Sequence, residues 1–266
     1  MPAIELLIID PQNDFCDQPG AALPVPGAMA DMARLAQLVQ RVGHGLAGIT
    51  VTLDSHHAYD IAHPGYWRDM HNASPAPFTP ITLTEVEVGL WEPRRADKAA
   101  HVRDYLAQVP LLIWPEHCLV GSWGHGVADV LKTALAQFER DYLTTVNYQF
   151  KGLNPDTEHF SAYEADAPIE SDPHTCFDRA QVARLEAADE VWVGGEALSH
   201  CVASTVRTLV KYLGPQFAQK LVVLTDCASP VAGFAAQGAA FLAEMNALGA
   251  RLVRSSELSL PQGVAA

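Results

Sequence analysis

Short β-branched apolar runs alternate along this chain with stretches in which apolar residues recur every three or four positions. Ile4–Ile9 is the first run and reads as a strand. In 28–42, Met29, Met32, Leu35, Leu38, Val39 and Val42 fall on one face of a predicted helix, and Gly43 and Gly45 stop it. Residues 46–53 then read as a second strand. The alternation returns late in the chain: strand 190–193, helix 201–213, strand 221–224, a helix over 232–248 stopped at Leu248-Gly249, and a last strand 251–253. Strands alternating with helices predict an α/β fold, a doubly wound and mostly parallel sheet with helices on both faces.

No repeat or low-complexity linker divides the chain, so it reads as a single domain over 1–266 with a long loop-rich insertion around 58–110. Within it, 58–100 is rich in Pro, Trp and His and reads as long loops rather than core elements. Loops of that length in a compact domain are usually functional or mobile.

Composition narrows the partners. The 266 residues carry 17 Lys+Arg against 31 Asp+Glu, a formal net charge of −14, with 49% hydrophobic and 18% charged residues. The chain is globular in composition, and its charge would be repelled by phosphate backbones and anionic lipid, which argues against nucleic acid or membrane as a partner. The opening apolar run is interrupted by Glu5, follows no basic region, and is too short for a signal-peptide core or a membrane span. The five cysteines are odd in number and scattered, which reads as reduced thiols in a cytoplasmic protein.

In open parallel sheets, ligands bind beyond the carboxyl ends of the strands. Three predicted strand exits carry chemistry: Asp10 after the first strand, Asp54-Ser55-His56-His57 after the second, and the 194–201 turn ending at Cys201. A cysteine is most often a small buried hydrophobe, but Cys201 opens a helix after a glycine-containing turn. The helix N-terminus there favours thiolate, and the turn offers N–H groups for an oxyanion. Asp10 taken singly reads equally well as a loop cap; beside Cys201 it can take the thiol proton. Lys151, after the β-prone stretch 143–150, would supply a cation, although a lone lysine usually lies in solvent. Asp54 and His56, two residues apart, can face one ion, with His57, His63 and His117 as further nitrogens. That set suits Zn²⁺, Mn²⁺ or Fe²⁺.

Five segments in order resemble one family. Asp10-Pro11-Gln12-Asn13-Asp14-Phe15, Asp54-Ser55-His56, Trp114-Pro115-Glu116-His117-Cys118, Phe150-Lys151-Gly152 and Phe160-Ser161-Ala162-Tyr163, followed by Cys201, are similar to the motifs of cysteine hydrolases of the isochorismatase-like superfamily. They are most similar to those of the nicotinamidase/pyrazinamidase family. The resemblance implies a Cys201/Asp10/Lys151 triad, an oxyanion hole from the N–H groups of Ala197 and Cys201, and a cis peptide near Glu196-Ala197. It further implies that Phe15 and Trp114 pack against the substrate ring. Asp54, His56, His117 and His63 would hold one divalent ion, zinc with manganese or iron as alternatives. The implied reaction is hydrolysis of nicotinamide to nicotinate and ammonia through a thioester.

The chain departs from the family at Leu198-Ser199-His200, where a polar triplet is usual, and in the spacing from Asp54 to His63, which leaves His57 as a substitute ligand. Residues 64–113 are longer than in small members, and 154–159 insert polar residues beside Lys151. These departures keep a second substrate class open, another small amide or a ureido or carbamoyl compound. A metal-hydroxide mechanism and a non-catalytic binding protein are the remaining readings. His101, His125, His159 and His174 have no partner pattern and read as solvated, and Asp226-Cys227 reads as packing. A small-molecule amide is the expected partner, and the family often forms homo-oligomers.

Overall fold

The computed structural model describes residues 2–260. In chain order, β1 (Ile4–Ile9), α1 (Ala28–Val42) and β2 (Gly48–Asp54) come first. The insertion follows, with β3 (Trp67–Arg68), β4 (Pro80–Ile81), α2 (Leu83–Glu87), β5 (Glu92–Pro93), α3 (Ala99–Leu106) and β6 (Leu111–Leu112). The remainder is α4 (Asp129–Tyr142), β7 (Asn147–Lys151), α5 (Ala183–Ala187), β8 (Glu190–Gly195), α6 (Ala203–Leu213), β9 (Leu221–Leu224), α7 (Ala235–Ala247) and β10 (Arg251–Val253).

Six strands form the central sheet in the order β10-β9-β8-β1-β2-β7, and every pairing is parallel. β1 lies at its centre, and its side chains alternate between two hydrophobic layers as strand geometry requires. Ile4, Leu6 and Ile8 pack with Met32, Leu35 and Val39 of α1 and Leu131, Leu135 and Phe138 of α4. Leu7 and Ile9 face the other way, onto Leu185 of α5, Val206 and Leu209 of α6, and Phe241 and Met245 of α7. The doubly wound parallel sheet predicted from the pattern is the observed one. No helix of the described residues is long and apolar enough to cross a membrane.

The insertion corrects the expectation of loops without a core. It folds into two antiparallel strand pairs, β3 with β5 and β4 with β6, and two short helices. These bury Ile61, Tyr66, Trp67, Ile81, Val102, Tyr105 and Ile113 in a third hydrophobic cluster that also takes in Phe15 and Trp114. Trp67 is fully buried, and its indole N–H donates to the Ile61 carbonyl at 2.7 Å. Two-residue strands are too short to show a period of two, so the aromatic residues that make this core looked like loop residues in the sequence. The cluster presents one wall toward the carboxyl ends of β1, β2, β7 and β8.

Candidate active site

The strand order brings the chemistry together. β8, β1, β2 and β7 are consecutive neighbours, so the residues at their carboxyl ends converge on one rim: Cys201 beyond β8, Asp10 beyond β1, Asp54 ending β2 and Lys151 ending β7. Asp54 and Lys151 are paired across β2 and β7. Asp10 turns the chain out of the sheet with φ 44°, in the left-handed region that a non-glycine residue seldom adopts.

Lys151 Nζ lies 3.1 Å from Asp10 Oδ2, 2.8 Å from Asp54 Oδ1 and 3.7 Å from Cys201 Sγ, and it donates to the His159 carbonyl at 2.6 Å. Ligating atoms of Asp10, Asp54 and Cys201 all lie within 4.8 Å of one another. Asp10 is further held by Thr52, whose hydroxyl donates to Oδ1 at 2.6 Å. All of these side chains are buried.

Burial shapes the protonation of the cluster. It would lower the Lys151 ammonium, but the Asp10 and Asp54 carboxylates hold it well above its ordinary value. Burial raises the Asp10 carboxyl, with Lys151 opposing. Burial also pushes the Cys201 thiol well up; Lys151 pulls it down, and Asp10 pushes it up again. Burial thus favours the thiol form of Cys201, with Lys151 opposing it. The sequence places Cys201 at the opening of a helix, and the structure differs. Cys201 is not at the first turn of α6: a π-helical turn, Leu198–Val202, carries it into the helix that begins at Ala203.

Before that turn, the Glu196–Ala197 peptide is cis. The Ala197 N–H makes no hydrogen bond among the described residues, while its carbonyl accepts from His200 and Val202. A side chain at Gly195 would begin 2.0 Å from the Ile9 carbonyl oxygen, so only glycine lets β8 and β1 approach this closely under the turn.

A second cluster adjoins the first. His56, His63 and His117 are buried with ligating atoms within 4.8 Å of one another. Asp54 Oδ2 lies 3.1 Å from His56 Nε2 and 3.5 Å from His117 Nε2. The Nδ1 atoms meet outer acceptors: His56 the Asp60 carboxylate at 3.0 Å, His63 the His57 carbonyl at 3.2 Å, His117 the Pro115 carbonyl at 2.9 Å. Such contacts orient imidazoles toward a metal and raise their basicity. His63 Nε2 also approaches His117 Nδ1 at 3.3 Å. Burial, with His56 and His117 nearby, lowers His63 to about 2, which favours the neutral ring; with Nδ1 donating to the His57 carbonyl, Nε2 is the nitrogen without a proton. Burial would lower His56, yet Asp54 and Asp60 hold it well above its ordinary value. Three imidazoles, with the Asp54 carboxylate against His56 and His117, fit a divalent ion. His63 joins this group despite its longer spacing; His57 is exposed and contributes its carbonyl.

Between the two clusters opens a narrow pocket lined by Phe15, Trp114, Phe160, Ala197, His200 and Cys201, together with Asp54, His117 and Glu158. Phe15 meets His117 edge-on at 5.5 Å, and Trp114 meets His200 edge-on at 5.3 Å. Every residue expected at the site thus lies within one rim. Sequence reasoning missed Thr52, Asp60, Glu158 and His200, and it misread His159 as solvated. Asp60 was legible as a carboxylate four residues beyond His56; the others carry no local signal.

No family model matches the chain. It is 27% identical over 266 residues to the nicotinamidase of Escherichia coli, covering 99% of this chain and 100% of that one. With the nicotinamidase of Saccharomyces cerevisiae it shares 25% over 226 residues, 85% of this chain and 88% of that one. The crystal structure of the yeast nicotinamidase bound to nicotinaldehyde superposes with a TM-score of 0.67 at 20% identity, over 94% of this chain and 99% of that one. The chain is nicotinamidase-like, on an isochorismatase-like fold. A pyrazinamidase of Pyrococcus horikoshii in complex with zinc has the same fold, with a TM-score of 0.56 at 19% identity over 95% of the nicotinamidase-like chain and 99% of its own.

Proposed function

We propose that this protein is a metal-assisted cysteine amidohydrolase that converts nicotinamide to nicotinate and ammonia. The observation that carries the reading is a buried thiol, carboxylate and ammonium side by side, next to a three-histidine cluster that shares Asp54 with them. Similarity to two nicotinamidases over most of their length supports the substrate class.

Asp54, His56, His63 and His117 would hold the ion, which supplies a positive charge for a pyridine-type nitrogen and so orients the ring; zinc suits the donor set, and manganese and iron also fit it. Phe15 and Trp114 would flank the ring. Asp10 takes the Cys201 proton as Sγ attacks the carboxamide carbon, and the oxyanion is held by the Ala197 and Cys201 N–H groups. The C–N bond breaks as Asp10 returns that proton to the leaving nitrogen, giving ammonia and a thioester. Water, losing a proton to Asp10, adds to the thioester; the C–S bond breaks, Sγ recovers the proton, and the acid leaves. Lys151 favours the anionic form of Asp10 between these steps and faces the sulfur as charge develops on it.

An ammonia-release assay over nicotinamide, pyrazinamide and a panel of ureido compounds, with and without chelator, tests the reading. Turnover confined to the pyridine and pyrazine amides and lost on chelation is expected. Turnover of ureido compounds alone, indifferent to chelator, would overturn it in favour of the carbamoyl alternative.

A further inference from the structure

Glu196 is a fully buried acid with no part in the chemistry above, and it directly precedes Ala197, the proposed oxyanion donor. Its main chain is fixed by β1, since its N–H donates to the Ile9 carbonyl at 2.7 Å. Its side chain runs the other way. Oε2 accepts from the Ser229 N–H at 3.1 Å, and Ser229 in turn accepts from the Leu198 N–H at 2.9 Å and donates its hydroxyl to Asp31 Oδ2 at 2.6 Å. Ser229 is wedged against the start of α1, where a side chain on Gly27 would begin 2.9 Å from its hydroxyl. Glu196 thus ties the turn to loop 227–231, and Ser229 ties that loop to α1 through Asp31.

Ser229 bridges two buried acids, and burial with a second acid nearby favours the protonated form of a carboxyl. Asp31 sits in the first turn of α1 and pairs with Arg34 Nη2 at 2.5 Å. Glu196 has no such partner: the charged groups facing it are Asp31 and Asp17, both acidic, with the Cys16 thiol nearby. Burial, and then Asp31, push its carboxyl well above its ordinary value. Glu196 Oε1 has no hydrogen-bond partner among the described residues, and a protonated carboxyl can donate where an ionised one cannot.

We propose that Glu196 is a positioning residue: through Ser229 and Asp31 it holds the Ala197 N–H in place for the oxyanion of the tetrahedral intermediate. The inference rests on the reading of Ala197 as an oxyanion donor. Oxyanion donors act by preorganisation, and displacing one by a fraction of an ångström weakens binding of the tetrahedral species while leaving planar ligands unaffected.

The test compares two ligands on folded protein loaded with zinc: nicotinaldehyde, whose carbonyl can become tetrahedral on the Cys201 sulfur, and planar nicotinate. Glu196→Ala should lower kcat and nicotinaldehyde affinity together, on the order of 10- to 100-fold, with KM and nicotinate affinity unchanged. Glu196→Gln, which can accept from Ser229 and donate to Asp31, should restore both to within about threefold of wild type. Asp31→Ala supplies the same comparison should Glu196→Ala fail to fold. Equal losses for nicotinaldehyde and nicotinate, or unchanged nicotinaldehyde affinity in Glu196→Ala, would overturn the inference, as would a Gln variant as impaired as the Ala variant. A wild-type protein that neither hydrolyses nicotinamide nor binds nicotinaldehyde would instead remove the functional reading, and this inference with it.

Discussion

Burial favours the protonated form of Cys201, Lys151 opposes it, and Asp10 favours it again. Nucleophilicity then depends on transfer to Asp10 at the moment of attack. Cys201→Ala should abolish ammonia release, by at least about 10³-fold, with metal content by atomic absorption unchanged. A variant that keeps near-full turnover while His56→Ala loses it would favour the metal-hydroxide reading. Lys151→Met should be worse than a lost cation, because it leaves Asp10 and Asp54 buried and facing each other. Breaking a buried ion pair costs about 3–5 kcal/mol, so urea unfolding should show a stability loss of that order alongside lost activity. At this scale the sequence was informative wherever a polar residue ended an apolar run. Asp10, Asp54 and Cys201 stand out because a strand precedes each. His159 did not, because its role lies in its carbonyl, which carries no sequence signal.

Periodicity made the elements of the central sheet legible and hid those of the insertion. The helix predicted over 28–42 is the helix observed as α1, and the last strand matches β10. The helix predicted from Cys201 instead begins with a π-helical turn, which apolar spacing does not distinguish from an α-helix. The insertion has two-residue strands and a core of Trp, Tyr and Ile held by shape, so composition suggested loops. Trp67→Ala is expected to cost about 3–5 kcal/mol in urea unfolding, against near zero for a true loop residue. Gly195→Ala is expected to be comparably disruptive, since its Cβ would overlap the Ile9 carbonyl and its φ of 115° excludes L side chains; a circular-dichroism melt compares it with wild type.

Across the whole molecule, the fold brings four strand ends to one rim and roofs that rim with the insertion. The ion would tie the two together, since Asp54 and His56 belong to the sheet side and His117 to the roof. Chelation should therefore lower the melting temperature, and added zinc should restore it. Glu196 links the same rim to α1 and gives stability its own pH dependence. Its raised carboxyl stays protonated in the fold after the unfolded chain has ionised. Its contribution is thus full in acid and is lost as pH rises from the ordinary glutamate range through the higher folded value. Glu196→Gln should flatten that decline in melting temperature toward alkaline pH; an unchanged profile would show that other groups set it.

The claim on which the account turns is that the acyl group passes through Cys201. Acid-quenching the zinc-loaded protein with nicotinamide in the first turnover and weighing the peptide that contains Cys201 tests it most directly. The account predicts a nicotinoyl adduct on that peptide, formed as ammonia is released and lost as nicotinate appears. Full turnover with no adduct at any quench time, and with Cys201→Ala still active, would contradict it.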